Sequence, residues 1–264
     1  MPSKLTYNGF SELKDTLSTM KSVWSGELEL GKSDFQVVFK TLPAAESQGW
    51  LCWALIYNTD EERHQVVPAQ SQSFGSLGAV VAWHRTACLL QTLMQSLFGL
   101  VVFSYVDDFF WVAPVDPTSV MDAGWLQGFF RRVVSGLLGW QLDPSKDAYG
   151  SSVVLLGLEI TLKTQASCWR LSPPKAKEWL EDIVEALQSN YLAPSTASKM
   201  CGRLSFLNSY VFGRVGRVLL RPLIWRQLQA SGPMHLTARL LACIGFQRSW
   251  SKAFLGDSRT EPLY

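Results

Sequence analysis

The spacing of apolar positions changes several times along the chain, and each change predicts an element. "SELKDTLSTMKSVW" predicts a short helix that ends at a Ser25-Gly26 turn, and "LELGKSDFQVVFKTL" alternates as a strand. "GWLCWALIYN" and "HQVVPA" form the arms of a hairpin whose turn is "NTDEER". In "AVVAWHRTACLLQTLMQSLF" the apolar residues Val80, Trp83, Ala87, Leu90, Met94 and Leu97 recur at steps of three and four. That spacing predicts an amphipathic helix, stopped by Gly99. "LVVFSYVDDFFWVAPV" divides at its aspartates into a strand over 101–106, a turn at Asp107-Asp108, and a returning strand over 109–113. "SVMDAGWLQGFFRRVVSGLLG" is a helix and "SSVVLLGLEITLK" a further hairpin strand. Ser172 then caps a helix opened by Pro173 and Pro174, with Trp179, Leu180, Ile183, Val184 and Leu187 as its apolar stripe. A second helix is expected after Pro194 with Ser195 as cap, and a third carrying Arg214, Arg217 and Arg221. Strands and helices mix to about residue 165, and only helices follow. The pattern predicts an α+β domain followed by an all-helical one.

Composition narrows the class. A chain of 264 residues, 47% hydrophobic and 17% charged, can bury a core. The polar start "MPSKLTYNGFSELKD" has no apolar h-region, so no signal peptide is expected. The apolar window 97–115 is long enough for a bilayer, but Asp107 and Asp108 at its middle would cost roughly 3 kcal/mol each. No membrane association is expected. Five scattered cysteines without a CxxC pair argue against a disulfide framework or zinc site. The expected location is a reducing intracellular compartment, cytoplasm or nucleus.

Charge is unevenly distributed. Residues 1–160 carry 10 Lys and Arg against 16 Asp and Glu, whereas residues 161–264 carry 14 against 6. Between Glu185 and Asp257 there is no acidic residue, yet nine Lys and Arg fall there. Such a segment suits a nucleic-acid-facing surface, with a merely solvated basic face as the alternative.

Asp107 and Asp108 carry the candidate chemistry. Adjacent carboxylates repel and resist desolvation, and a plain two-residue turn prefers Asn-Gly or Asp-Gly. A polar turn explains their position but not their type. A bound hard cation explains both, because Mg²⁺ takes carboxylate oxygens and shares them with substrate phosphates. Two ions about 4 Å apart can serve phosphoryl transfer. A third carboxylate is then needed, and Asp34, at the close of a strand-like run, is the candidate.

With these residues on the page, the chain resembles retroelement, retrotransposon-type reverse transcriptases. "SYVDDFFWV" looks like their Tyr-x-Asp-Asp motif and "KSDFQVVF" their motif A. "SFGSLGAVVAWHR" is similar to motif B, "LDPSKDAYGSSVVLLGLEIT" to the run from motif D to motif E, and "LSPPKAKEWLEDIVEAL" to the opening of the thumb. Five motifs in order span about residues 31–230. The resemblance implies a polymerase palm, an antiparallel sheet packed on helices, with partial fingers and an all-helical thumb. Its parts are expected as a residual fingers segment (1–30), a palm (31–170) with a fingers-derived hairpin (about 41–70), a thumb (171–232), and a connector (233–264) towards an absent ribonuclease H-like domain.

The resemblance also implies roles. Asp34, Asp107 and Asp108, with the Phe35 carbonyl, would hold two Mg²⁺ ions, Mn²⁺ being a substitute. Lys146 would protonate the leaving pyrophosphate. Phe39 would exclude a 2′-hydroxyl, Phe74 and Gly75 would form the turn beside the dNTP, and Tyr105 would lie against the primer end. Leu156 and Gly157 would belong to the primer grip, and Arg203, Arg214, Arg217 and Arg221 would track the phosphates. The implied activity is RNA-directed DNA polymerisation on a primed RNA or DNA template. Implied partners are dNTPs and other domains of a retroelement polyprotein: ribonuclease H, integrase or recombinase. Val37 and Val38 crowd the motif A aromatic, Ser73 replaces a proline, and 33 residues before Asp34 leave little room for fingers. A truncated or inactive copy, or a non-catalytic nucleic-acid-binding relic, is therefore an alternative. An RNA-dependent RNA polymerase is another, disfavoured by Phe39 and by the absence of Gly-Asp-Asp.

Overall fold

The computed structural model describes residues 9–37, 40, 42–47, 53–72, 77–116, 118, 121–164, 166–210, 220–229, 235–245 and 260–262. The chain divides into two compact units, Met1–Ser151 and Ser152–Tyr264.

The first unit opens with helix α1 (Phe10–Val23), whose Phe10, Leu13 and Leu17 are buried. Strand β1 (Leu28–Asp34) follows, then a two-stranded hairpin of β2 (Trp53–Asn58) and β3 (Arg63–Pro68). Helix α2 (Leu77–Phe98) runs to Gly99, which ends it at φ +65°. Strands β4 (Val101–Tyr105) and β5 (Asp108–Pro114), helix α3 (Ala123–Leu138) and strand β6 (Ala148–Gly150) complete the unit. The sheet order is β4-β5-β1-β6, antiparallel throughout.

The unbroken apolar run has a simple origin. β5 sits inside the sheet, and Phe109 through Ala113 are all buried, so both of its faces are covered. Phe109, Trp111 and Ala113 join Trp83, Leu90 and Met94 of α2 and Leu126, Phe130 and Val134 of α3 in one core. Gly31 lies opposite Trp111, and a Cβ there would fall 2.1 Å from the indole nitrogen, so β1 needs glycine to let the ring lie across it. The indole donates to Ala123 O at 3.1 Å, fixing the start of α3 against the sheet.

The second unit contains β7 (Ser152–Leu155), β8 (Leu158–Leu162) and β9 (Ala166–Leu171), joined by β10 (Thr260–Pro262) in the order β10-β9-β8-β7. Helices α4 (Pro173–Ser189), α5 (Pro194–Tyr210) and α6 (Arg221–Leu228), with a helical stretch over 238–245, supply its second core. Ile183, Ala186, Met200, Leu204, Leu223, Leu240 and Ile244 meet there.

Several expectations change. The hairpin turn is Val106-Asp107, one residue earlier than expected, and Asp108 is the first residue of β5. The sequence "SSVVLLGLEITLK" folds as two strands. β9 and β10 lie beyond residue 165, so the second unit is not purely helical. Ser172 stands at the N-cap of α4 without a side-chain cap bond, and α5 begins at Pro194, before the expected cap Ser195. The buried stripe of α4 is Ala176, Trp179, Ile183 and Ala186, with Leu180 and Val184 only half-buried. Among the described residues no helix is long and apolar enough to cross a membrane. The apolar window at 97–115 forms the β4–β5 hairpin instead.

A candidate active site at the end of the β1–β5 ladder

Strand register brings the acidic residues to one sheet end. Asp34, the last residue of β1, pairs directly with Asp108, the first of β5, and Tyr105 pairs with Asp108 from β4. Side chains opposite one another share a face, so Lys32, Asp34, Tyr105 and Asp108 project to the same side. Like charges directly opposite are normally destabilising. The Asp34–Asp108 pair stands in this position against that cost.

The turn between Tyr105 and Asp108 is held from outside the sheet. Val106 has φ +56°, a left-handed conformation that a β-branched residue adopts only under constraint. Trp83 of α2 supplies one constraint, its Nε1 donating to Val106 O at 2.6 Å. Gln91 of the same helix accepts from Ser104 Oγ at 2.9 Å, and Gln95 donates to Val102 O at 2.8 Å. One helix thus fixes β4 and the turn that presents Asp107.

A second support comes from residues 141–147. Gln36 N donates to Gln141 O, Asp143 N donates to Asp34 O at 2.8 Å, and Phe35 bridges Leu142. Asp143 accepts from Ser145 N and Ser145 Oγ, closing a turn that places Lys146 beside β1. Lys146 Nζ lies 2.6 Å from Asp34 Oδ2. The other oxygen, Oδ1, is buried with no hydrogen-bond partner. An uncompensated buried carboxylate oxygen is costly unless something fills that position.

Electrostatics follow the crowding. Burial pushes the Asp108 carboxyl up to about 6, with the charges of Asp34 and Asp107 adding to it and Lys32 opposing. Burial also raises Asp107, with Asp34 acting in the same direction. Lys146 is raised by its bond to Asp34. This end of the sheet carries more negative charge than Lys32 and Lys146 neutralise, which is the condition a hard divalent cation relieves. The three carboxylates do not close into a cation cage: among the described residues no three His, Cys, Asp or Glu form a metal-holding group. Lys146 occupies one oxygen of Asp34 instead. The oxygen-only donor set and the orphaned Oδ1 nonetheless fit such an ion.

No family model matches the chain, and no curated protein sequence matches it. Among solved structures it is similar to the foamy viral protease-reverse transcriptase in complex with RNA/DNA hybrid, with a TM-score of 0.57 and 16% identity. The match covers 85% of this chain and 27% of that one. The fold is reverse-transcriptase-like. The chain spans about a quarter of the length of the protein it resembles.

The sequence-selected residues fall into three groups on this reverse-transcriptase-like fold. Asp34, Phe35, Tyr105, Asp107, Asp108 and Lys146 gather in the first unit. There the Phe35 ring is core, edge-on to Trp83 and Phe109 at 5.1 and 5.3 Å, leaving only its backbone for the site. Leu156, Gly157, Arg203 and Arg221 belong to the second unit. Phe39, Phe74, Gly75, Arg214 and Arg217 lie outside the described residues.

Three of the second group have local structural roles. Leu156 and Gly157, at φ +50° and +89°, form the tight β7–β8 turn, and Gly157 O accepts from Ser172 N at 3.0 Å. Arg203 forks onto Glu178 and Asp182 and lies 5.8 Å from the Trp179 ring, clamping α5 to α4. Its guanidinium is engaged within the protein. Lys32 and Trp83 were missed as site residues. Lys32 was findable at a step of two from Asp34, but nothing local marks Trp83 as the residue that pins the turn.

Proposed function

We propose that the chain is the palm and thumb portion of an RNA-directed DNA polymerase of retroelement type, extending a primer 3′-hydroxyl with dNTPs. The observation that carries this reading is the Asp34–Asp108 cross-strand pair with its buried, unpartnered Oδ1, set on a reverse-transcriptase-like fold. Asp34, Asp107, Asp108 and the Phe35 carbonyl would hold two Mg²⁺ ions, with Mn²⁺ as a substitute. Bound there, such ions activate the attacking hydroxyl and stabilise the leaving pyrophosphate.

The chain's own residues do the rest. The Trp83 bond to Val106 O and the Asp34–Asp108 register fix where the acidic oxygens stand. Tyr105, on the same face, offers a ring beside the primer end. Lys146 holds a proton on Nζ beside Asp34, screens that carboxylate, and would donate a proton to the departing pyrophosphate. Phe39 would exclude ribonucleotides, and Phe74 and Gly75 would contact the incoming nucleotide. A primed RNA or DNA template is the proposed partner, as are further polyprotein domains.

One observation favours a second reading, a nucleic-acid-binding relic without turnover: Lys146 closes one oxygen of Asp34 and the carboxylates form no metal-holding group. Primer extension on an RNA template with Mg²⁺ and dNTPs separates the two. Extension by the unaltered chain but not by Asp107→Asn supports the polymerase. Binding of the template-primer with no extension supports the relic, and extension with NTPs in place of dNTPs would point to RNA synthesis.

A further inference from the structure

The second unit contains a cavity that the proposed polymerase site does not use. It has a volume of about 620 Å³ and lies between α6 and the segment entering the 238–245 helix. Its lining includes Arg221, Trp225, Arg226, Gln229, Thr237 and Arg239. That volume suits a small organic ligand.

The chemistry of the wall is one-sided. Among the described residues, three arginines line the cavity and no carboxylate does. No acidic residue occurs anywhere between Glu185 and Asp257, so chain neighbours supply no counter-charge. Neither Arg221 nor Arg239 is among the arginines that make ion pairs between described residues. Both are exposed. Arg226 has a different part: it is 3% exposed, donates to Gln229 Oε1 at 3.1 Å and to His235 O at 2.5 Å, and so ties the end of α6 to the segment opposite. This buried guanidinium builds the back wall of the cavity.

Trp225 completes the site. Its side chain lines the cavity, yet the residue is 68% exposed. An exposed indole on a wall shared with two exposed arginines is costly in apolar hydration, and it matches a planar ring that can stack. Arginines for phosphate, an indole for a base, and the amide and hydroxyl of Gln229 and Thr237 for base edges belong to one ligand class.

We propose that this cavity binds a nucleoside phosphate, with the base stacked on Trp225 and the phosphate held by Arg221 and Arg239. The ligand is either one unit of a single-stranded nucleic acid or a free mononucleotide. The site lies wholly in the second unit, and the inference does not depend on the polymerase reading.

The test is fluorescence anisotropy of the full chain with a labelled octanucleotide of single-stranded DNA, with unlabelled dAMP as competitor. The unaltered chain is expected to bind. Trp225→Ala should weaken binding roughly tenfold while Trp225→Phe keeps most of it, because stacking needs a ring. Arg221→Gln with Arg239→Gln should reduce the slope of log affinity against log salt by about one. Displacement by dAMP identifies the mononucleotide as sufficient, and dependence on the strand without dAMP displacement identifies strand binding; either supports the site. Unchanged affinity in Trp225→Ala, or displacement by poly-glutamate as effectively as by the unlabelled octanucleotide, would overturn it. Thermal melting of each variant checks folding, which substitution of an exposed ring should leave intact. Asp108→Asn should bind the octanucleotide like the unaltered chain, so loss of extension and loss of this site are read separately.

Discussion

The ammonium of Lys146 grips one oxygen of Asp34 across 112 positions of sequence, while the other oxygen of the same carboxylate is buried and unmatched. The lysine therefore acts as an internal counter-ion, and any divalent cation recruited by Asp34 must compete with it. Lys146→Gln removes that competitor. The variant should bind Mn²⁺ several-fold more tightly in calorimetry and yet extend a primer more slowly, having lost its proton donor. Weaker Mn²⁺ binding in the variant would show that Lys146 supports the ion site instead of opposing it.

Asp108 makes stability depend on pH in a definite direction. Its carboxyl is raised from 3.8 to about 6 in the folded chain, so between those values the native state binds more protons than the unfolded one. Stability contributed by this group is greatest below about pH 4 and falls as pH rises through 6. Because the group is partly exposed and coupled to Asp34 and Asp107, the loss is discounted to roughly 1–2 kcal/mol. Asp108→Asn should therefore melt higher than the unaltered chain at pH 7, and the gap should close on acidification to pH 4. A gap that persists at pH 4 would contradict the assignment.

The Val106 turn should respond to two substitutions in opposite ways. Trp83→Phe deletes the donor to Val106 O and leaves a partly buried carbonyl short of a partner, costing roughly 1 kcal/mol in urea unfolding. Val106→Gly removes the side chain that resists φ +56° and should gain about 1 kcal/mol, net of the glycine entropy cost. Destabilisation by Val106→Gly would show that the turn is not strained.

Arg203 distinguishes a structural arginine from a nucleic-acid contact. Its side chain is 18% exposed and engaged by Glu178 and Asp182. Arg203→Ala should lower stability by roughly 2 kcal/mol and leave the salt dependence of nucleic-acid binding unchanged. A shallower salt slope would return Arg203 to the binding surface.

These contrasts show which signals a sequence can transmit. β5 was legible because a strand covered on both faces must be apolar at every position from Phe109 to Ala113. The turn was misplaced by one residue because aspartate tolerates tight turns better than valine, and the Trp83 bond that overrides this preference comes from another element. Asp34 was selected at the close of a strand-like run and Asp108 within the hairpin turn; their direct pairing appears only in the ladder. Arg203 read as a free cation because its partners sit 25 and 21 positions upstream, on another helix. Ala166–Leu171 was read as leaving the sheet, since six residues ending at Ser172-Pro173 carry too little alternation to announce a strand. The cavity around Trp225 had no sequence signature, because residues 221–229 and 237–240 make it only by meeting in space.

Divalent-ion binding to the sheet end tests the central claim most directly. Titration of the full chain with Mn²⁺, followed by the loss of free-ion electron paramagnetic resonance signal, should show saturable binding. Asp34→Asn and Asp108→Asn should each weaken it at least tenfold. Equal binding by the unaltered chain and both variants, or none at millimolar ion, would contradict the account.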